Sequence, residues 1–274
     1  MIKSYMPIRI AAVLSLTLLV NSCADSSPKT GHPTPVPQQL AETAKGEVKS
    51  YQLALFDEAR NRAVPVAIYE PGSGAKRSPE KRRKLKLALL NHGYGNPNTS
   101  YKFVAYNLVA QGYFVVSIQH ELPKEAPMPT TGNPQQVRRP YWERGVQNML
   151  FVLQTLKKTN TELDFRNLLL VGHSNGGDMA ALFAQKYPQL VRDVVTLDNR
   201  RMPLPRTRRP HILTIRSSDQ VADDGVLPTA AEQKKFDIQI VKMENMTHND
   251  IWDGATDEKK QEINQAINNF LKTK

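Results

Sequence analysis

The sequence feature that most constrains the fold is residues 168–188, LLLVGHSNGGDMAALFAQKYP, where an apolar run meets a glycine-flanked serine and then a helix-like stretch. A short continuous apolar run is typical of a strand buried on both faces. Gly172 and Gly176 let the backbone turn sharply where side chains would collide, which exposes the Ser174 hydroxyl at the strand tip. The same pattern also fits an ordinary glycine turn, so other residues must distinguish a nucleophile from a turn.

Strand-like and helix-like stretches alternate on both sides of this segment. The strands are expected at 48–57, 63–71, 85–93, 113–120, 165–172, 191–198, 211–217 and 236–243. The helices are expected at 100–111, 141–158, 177–187 and 257–272. This alternation predicts an α/β domain with a mostly parallel eight-stranded sheet, an antiparallel opening pair, and helices on both faces. Reactive groups in such sheets gather at the carboxyl ends of the strands, so catalytic residues should follow strand ends.

A serine hydroxyl needs a base to act as a nucleophile near neutral pH. His248 follows the last predicted strand and precedes the terminal helix, where this architecture would place the base. The other histidines lie before the domain, inside the serine turn, at a strand start or after early strands: His32, His173, His211, His92 and His120. We therefore predict His248 as the base.

The acid that orients the base has several candidates. Asp219 follows the strand ending near residue 217 and ranks first, and Asp198 follows the preceding strand and ranks second. Asp223 and Asp224 are close enough in sequence to remain open, although both also suit turns. Whichever carboxylate serves would hold the imidazole in the right tautomer and stabilise its charged form.

Donors for a tetrahedral oxyanion are expected in two loops. His92-Gly93-Tyr94 forms a turn at the end of the third strand, and Asn175 directly follows the candidate nucleophile. The backbone N–H groups of Tyr94 and Asn175 are the predicted oxyanion hole, and the Tyr94 side chain could also line an acyl pocket.

Taken together, His92-Gly93-Tyr94, Gly172-His173-Ser174-Asn175-Gly176-Gly177, Asp219 and His248 resemble the α/β-hydrolase superfamily. The chain is similar to its small lidless branch of dienelactone-hydrolase-like proteins, chlorophyllases and cutinase-like polyester hydrolases, over about residues 48–272. The resemblance implies a serine hydrolase that cleaves carboxylic esters through an acyl-enzyme. It departs from the family in IRSSDQ, residues 215–220, where many relatives have His-Gly or a similar pair before the acid. This departure leaves the acid open between Asp219 and Asp198.

The connection between the sixth and seventh strands is short and basic. Residues 199–210, NRRMPLPRTRRP, leave no room for a helical lid, so the site should be open. The loop contains five arginines, Arg200, Arg201, Arg206, Arg208 and Arg209. If they lie near the rim of the site, they would favour an anionic ester; the alternative is a solvated basic loop without a ligand. The proline-rich loop 121–136 is expected to form another wall of the site. Trp142 is expected either to belong to that wall or to pack in the core.

The N-terminal residues have the layout of an exported lipoprotein. Residues 1–22 combine a basic start with an apolar run too short to span a bilayer, as in a secretory signal. Cys23, the only cysteine, then resembles a lipidation site, so no disulfide can form within the chain. Residues 23–47 are rich in Pro, Ser, Thr and Lys and are expected to be a disordered tether, with a catalytic domain at 48–274. The next residue, Ala24, is not the aspartate that signals retention in the inner membrane. The resemblance to Gram-negative lipoproteins therefore implies the outer membrane or periplasm.

Composition and missing motifs narrow the remaining classes of function. Removing residues 1–22 lowers the formal net charge from +11 to +9, yet the basic residues are spread through loops without a nucleic-acid-binding module. No zinc, P-loop or Rossmann fingerprint occurs, so no metal or cofactor is predicted. We expect a monomer acting on a small-molecule ester. An amidase, peptidase or acyltransferase using the same site, or a non-catalytic binding lipoprotein, remain the alternatives.

Overall fold

A computed structural model describes residues 48–72 and 84–273. It contains one eight-stranded sheet with the spatial order β1-β2-β4-β3-β5-β6-β7-β8. Its strands are β1 Val48–Asp57, β2 Arg62–Pro71, β3 Leu85–Asn91, β4 Tyr113–Ile118, β5 Leu163–His173, β6 Val191–Leu197, β7 His211–Arg216 and β8 Ile238–Lys242. The predictions for the leader, Cys23 and the tether lie outside the described residues.

The sheet is mostly parallel, as predicted. Strands β1 and β2 form the antiparallel opening pair, and β2 also runs antiparallel to β4. From β4 through β3, β5, β6 and β7 to β8, all neighbours are parallel. The fold is therefore the predicted α/β-hydrolase architecture, with the carboxyl ends of β3, β5, β6 and β7 at one edge.

Helices cover both faces of this sheet. They are α1 Lys102–Ala110, α2 Pro134–Val137, α3 Arg139–Thr159, α4 Asn175–Lys186, α5 Ala230–Phe236 and α6 Asp257–Lys272. The last of these has the predicted bounds. Helix α5 and the short α2 were not predicted from the sequence, and both lack buried residues. None of the helices in the described segments is long and apolar enough to cross a membrane.

Alternation along the central strands divides the core between the two faces. In β3, Leu87 and Leu89 pack in the layer that contains α3 and α4, whereas Ala88 and Leu90 face the layer that contains α1 and α6. All four are almost completely buried. A strand covered on both sides reads as a continuous apolar run, which is why β3, β4 and β5 were recognisable from sequence.

The connection from β6 to β7 carries no inserted lid. Residues 199–210, between β6 and β7, contain no helix or strand. This confirms the prediction that no large lid domain lies at that position.

Candidate active site

Ser174 lies at the turn between β5 and α4 in a strained backbone conformation. Its φ is 50° and its ψ is −117°, a region that non-glycine residues rarely occupy. A Cβ on Gly172 would lie 2.3 Å from the Gly176 carbonyl oxygen, and one on Gly176 would lie 2.2 Å from the carbonyl oxygen of Asn91. These positions therefore require glycine, and the G-x-S-x-G pattern reflects packing of the strand, the turn and the helix.

His248 lies beside the Ser174 hydroxyl. Its Nε2 is 2.9 Å from Ser174 Oγ, and its Nδ1 is 2.6 Å from Asp198 Oδ2. Both contacts are satisfied by the tautomer in which Nδ1–H donates to the carboxylate and Nε2 accepts from the hydroxyl. The two residues predicted as nucleophile and base are thus within hydrogen-bond distance, although 74 positions separate them in the chain.

Asp198 directly follows β6 and is completely buried. It accepts hydrogen bonds from the main-chain N–H of Ser217 at 3.1 Å and from its hydroxyl at 2.8 Å. Arg216 Nη2 lies 2.9 Å from Asp198 Oδ1. Burial alone would raise the pKa of Asp198, but the His248 hydrogen bond, the Arg216 charge and the Ser217 bonds together hold that pKa below its ordinary value. The carboxylate is therefore charged and fixed against the imidazole.

The preference for Asp219 as the partner of the His248 ring was wrong. Asp219 is exposed, and its Oδ1 accepts the main-chain N–H of His248 at 2.7 Å, so it contacts the loop and Asp198 contacts the ring. Of the other two candidates, Asp223 pairs with Arg201, and Asp224 is exposed. The second-ranked Asp198 is the carboxylate that the geometry supports.

The remaining buried histidines have structural partners. The His173 Nδ1 lies 2.7 Å from the Tyr101 hydroxyl, and its ring centroid lies 4.8 Å from that of His248. Burial, followed by the neighbouring His248, lowers the pKa of His173 to about 3, so it is neutral. Burial likewise lowers the pKa of His92 to about 4. The His92 Nε2 accepts the main-chain N–H of His120 at 2.9 Å, which fixes the loop after β3.

The two predicted oxyanion donors lie in turns beside Ser174. Asn175 is the first residue of α4, where main-chain N–H groups have no acceptor within the helix. Tyr94 lies in a turn closed by the Asn96 N–H to the Gly93 carbonyl at 3.1 Å. The Tyr94 side chain lines a cavity with Ser174, as expected, and its hydroxyl accepts the Met128 N–H at 2.9 Å.

Glu121 connects these two turns, and the sequence analysis missed it. Its Oε2 accepts the Gly95 N–H at 3.0 Å, and its Oε1 lies 3.4 Å from Asn175 Nδ2. Trp142 Nε1 donates to Asn175 Oδ1 at 2.9 Å, so Trp142 is a buried core residue that also holds Asn175. Burial raises the pKa of Glu121. Its position shortly after β4 was the available signal, because polar residues after strand ends are site candidates.

A cavity of about 200 Å³ opens beside Ser174 and Asn175. Met128 and Thr130 of the proline-rich loop form part of its wall, as predicted. The cavity is also lined by Arg138, Arg200 and Arg201 with Asp178. A second depression of about 250 Å³ is lined by His173, Asn249 and Trp252.

The five arginines after β6 have different surroundings. Arg200 and Arg201 line the cavity, whereas Arg206 donates to the carbonyl oxygens of its own and the following loop. Arg208 is exposed, and Arg209 lies with Lys84 and His211 at the opposite edge of the sheet. Only two of the five therefore reach the cavity. Across residues 48–72 and 84–273, no group of three His, Cys, Asp or Glu side chains could hold a metal ion.

Comparison with known proteins agrees with this architecture. The family described as "Serine aminopeptidase, S33" matches residues 83–197, which include Ser174 but neither Asp198 nor His248. No curated protein sequence matches the chain. The chain therefore relates to known proteins through that segment and through its fold.

Solved structures share the fold at low sequence identity. A ferulic acid esterase from Streptomyces cinnamoneus superposes with a TM-score of 0.55 at 17% identity, covering 78% of each chain. A fungal esterase from Rhizomucor miehei gives a TM-score of 0.60 at 14% identity, covering 85% of this chain and 84% of that chain. A dienelactone hydrolase-like promiscuous phosphotriesterase from metagenomic libraries gives 0.60 at 14%, covering 83% and 99%.

These findings define the class of protein. The chain has the α/β-hydrolase fold, and its residues 83–197 match a family of hydrolases.

Proposed function

We propose that this protein is a serine hydrolase that cleaves carboxylic esters through an acyl-enzyme intermediate. The observation that carries the proposal is the hydrogen-bonded series Ser174–His248–Asp198, with distances of 2.9 and 2.6 Å. The three residues follow the ends of three strands at one edge of the sheet: Ser174 follows β5, Asp198 follows β6 and His248 follows β8. Several of the structures that share the fold are named esterases, which supports an ester as the substrate.

The reaction follows from the positions of these groups. His248 Nε2 takes the proton from Ser174 Oγ as the oxygen attacks the ester carbonyl, and Asp198 stabilises the imidazolium. The backbone N–H groups of Tyr94 and Asn175 stabilise the oxyanion of the tetrahedral intermediate. His248 then protonates the departing alcohol. A water molecule, deprotonated by the same histidine, releases the acid and restores Ser174.

Replacing the nucleophile tests this mechanism. We expect Ser174→Ala to lower kcat for p-nitrophenyl butyrate by about 10⁶-fold, because the covalent step is lost. A fluorophosphonate probe should label the wild-type protein at Ser174 and leave the variant unlabelled. Ser50→Ala, on the exposed face of β1, is the matched control and should retain labelling and turnover. Turnover in folded Ser174→Ala near the wild-type rate would refute the mechanism.

An amide or peptide bond is the second candidate substrate, and the description of the matched family favours it. The same Ser174 and His248 chemistry would serve, with the histidine protonating an amine as it leaves. Comparing kcat/KM for matched p-nitrophenyl esters and p-nitroanilides separates the two, since an amidase would hydrolyse the anilide at a comparable rate. Absence of probe labelling in the folded wild type would favour a non-catalytic binding protein.

We also propose that the enzyme is exported and held at the cell envelope of a Gram-negative bacterium by a lipid on Cys23. The proposal rests on the signal-like residues 1–22 and on the position of the single cysteine directly after them. In a Gram-negative host, an alkyne-palmitate label should attach to the wild-type chain and be lost in Cys23→Ser. Membrane association without the label would contradict the proposed anchor.

A further inference from the structure

The Ser174 cavity is lined by three arginines. Arg138 directly precedes α3, and Arg200 and Arg201 lie in the loop after β6. They are close enough that the charge of Arg201 and that of Arg200 both act to lower the pKa of Arg138, after the larger effect of burial. Such a concentration of positive charge beside Ser174 favours an anionic ligand.

The negative groups nearby compensate only part of this charge. Asp223 forms an ion pair with the guanidinium of Arg201. Asp178 is buried and directs one oxygen at the main-chain N–H groups of Arg201 and Met202, at 2.9 and 2.8 Å, and it also has a hydrogen bond from the Asn199 side chain. Burial, opposed by those hydrogen bonds, raises its pKa to about 6, which reduces its negative charge in mildly acidic solution.

Arg138 and Arg200 lack carboxylate partners among the residues that the structure describes. Arg138 donates through Nε to the Pro129 carbonyl at 3.2 Å, which orients the side chain. The charges of Asp178 and Asp223 act to raise the pKa of Arg138, but neither carboxylate forms an ion pair with it. The Nε of Arg200 is buried without a hydrogen-bond partner within the described part of the chain. Because Arg200 lines the cavity without an ion pair, a ligand carboxylate there would gain charge-assisted hydrogen bonds from its guanidinium.

The position of His248 decides which part of an ester would occupy this cavity. Because His248 protonates the leaving alcohol, the alcohol must lie on the histidine side of Ser174. The second depression is lined by Asn249 and Trp252, which follow His248 closely in sequence, and by His173, whose ring centroid lies 4.8 Å from that of His248. We therefore assign this depression to the alcohol. The cavity with the arginines also contains Asn175, a proposed oxyanion donor, and is left for the acyl chain.

We propose that Arg138 and Arg200 form an anion-binding subsite for a carboxylate at the end of the acyl chain, so that the preferred substrates are half-esters of short dicarboxylic acids. This inference rests on the proposed esterase function and names the substrate class of that site. A guanidinium recognises a carboxylate through two parallel charge-assisted hydrogen bonds, which gives direction as well as affinity.

The test uses pairs of substrates that differ only in charge. The acyl pair is mono-p-nitrophenyl succinate and its methyl ester, and the alcohol pair is 4-acetoxybenzoate and its methyl ester. We expect the acidic-to-neutral ratio of kcat/KM in the acyl pair to fall by about ten- to hundredfold in Arg200→Gln and in Arg138→Gln. The ratio in the alcohol pair should change by less than about threefold.

Arg208→Gln is the matched control, because Arg208 is exposed in the same loop and its loss removes the same charge. An equal fall in the acyl ratio in Arg208→Gln would overturn the proposal in favour of a general surface potential. Unchanged ratios in Arg200→Gln and Arg138→Gln, with esters still cleaved through Ser174, would overturn the subsite and leave the esterase function standing. A larger change in the alcohol pair would place the carboxylate on the wrong side of Ser174 and overturn the proposal as well.

A binding measurement separates the subsite from the esterase function. Succinate should bind the folded wild-type protein in an NMR titration and bind at least about tenfold more weakly to Arg200→Gln. If no ester is hydrolysed, the proposed function fails while this titration still decides the subsite. Equal succinate binding by wild type, Arg200→Gln and Arg208→Gln would refute the anion site.

Discussion

Two neighbouring loops at the catalytic edge each bring an aspartate to His248, and they do so in different ways. The loop after β6 begins with Asp198, which is buried, bonded to Ser217 and in contact with the imidazole ring. The loop after β7 carries Asp219, which is exposed and accepts the main-chain N–H of His248. One carboxylate can therefore influence proton transfer, and the other fixes the backbone that carries the ring.

Strand order accounts for this difference. Strand β6 lies directly beside β5, which ends next to Ser174, whereas β7 is one position further along the sheet. Neighbouring strands are about 4.8 Å apart, so the end of β6 is one spacing from β5 and the end of β7 is two. An imidazole within 2.9 Å of Ser174 Oγ extends over β6 and reaches Asp198. The contact to Asp219 is left to the main chain of the His248 loop.

Neutralising Asp198 should have the largest effect on the difference between the two loops. Asp198→Asn keeps the size of the side chain but presents an uncharged amide to His248 Nδ1. We expect kcat/KM for p-nitrophenyl butyrate to fall by about 10³- to 10⁴-fold, because the imidazole loses its orienting acid and the stabilisation of its charged form. Thermal unfolding followed by circular dichroism should show that the variant is folded at the assay temperature.

Asp219→Asn is the matched comparison, because it makes the same chemical change on the other loop. Its remaining oxygen can still accept the His248 N–H, so the expected loss in kcat/KM is at most about tenfold, the value of one weakened hydrogen bond. If Asp219→Asn loses as much activity as Asp198→Asn, or more, then Asp219 orients the base and the roles of the two loops are reversed.

The sequence was sufficient for those parts of the fold that bury apolar residues on a regular pattern. Strand β3 was recognisable because Leu87, Ala88, Leu89 and Leu90 face packed layers on both sides. Helix α5 was missed because none of its residues is buried, so it has no apolar period. Its N-terminus did carry a signal, since Thr229 and Glu232 form a capping box of the T-x-x-E type.

A site residue could be predicted from the sequence where only one candidate followed the relevant strand. It could not be predicted where two loops each offered a carboxylate for the same partner. Ser174 and His248 each follow a single element, and the structure brings them together. The choice between Asp198 and Asp219 depends on which carboxylate faces the ring, which is a property of strand neighbours. Glu121 and Arg138 were missed for a similar reason, because their contacts join loops that are distant in the chain.

The loop after β6 also depends on a second buried carboxylate, which gives a smaller and pH-dependent test. Asp178 of α4 accepts the N–H groups of Arg201 and Met202, and burial raises its pKa to about 6. The folded protein therefore keeps a proton that the unfolded chain releases above about pH 4. The stability contributed by Asp178 is complete below that pH and is lost as the pH rises through about 6.

Asp178→Asn removes this titration while keeping an oxygen for the two N–H groups. We expect the free energy of unfolding of the variant, relative to wild type, to rise by up to about 3 kcal/mol between pH 4 and pH 7, measured by urea denaturation. Asp250→Asn should give the opposite slope, at pH values between about 2 and 4. The hydrogen bonds from Lys259 and from Thr247 lower the pKa of Asp250 to about 2, so its stabilisation is present above about pH 4 and is lost at lower pH. A flat difference for Asp178→Asn would mean that Asp178 is charged throughout. The loop after β6 would then be held by a buried carboxylate like Asp198, and the cavity beside Ser174 would carry one more negative charge in mildly acidic solution.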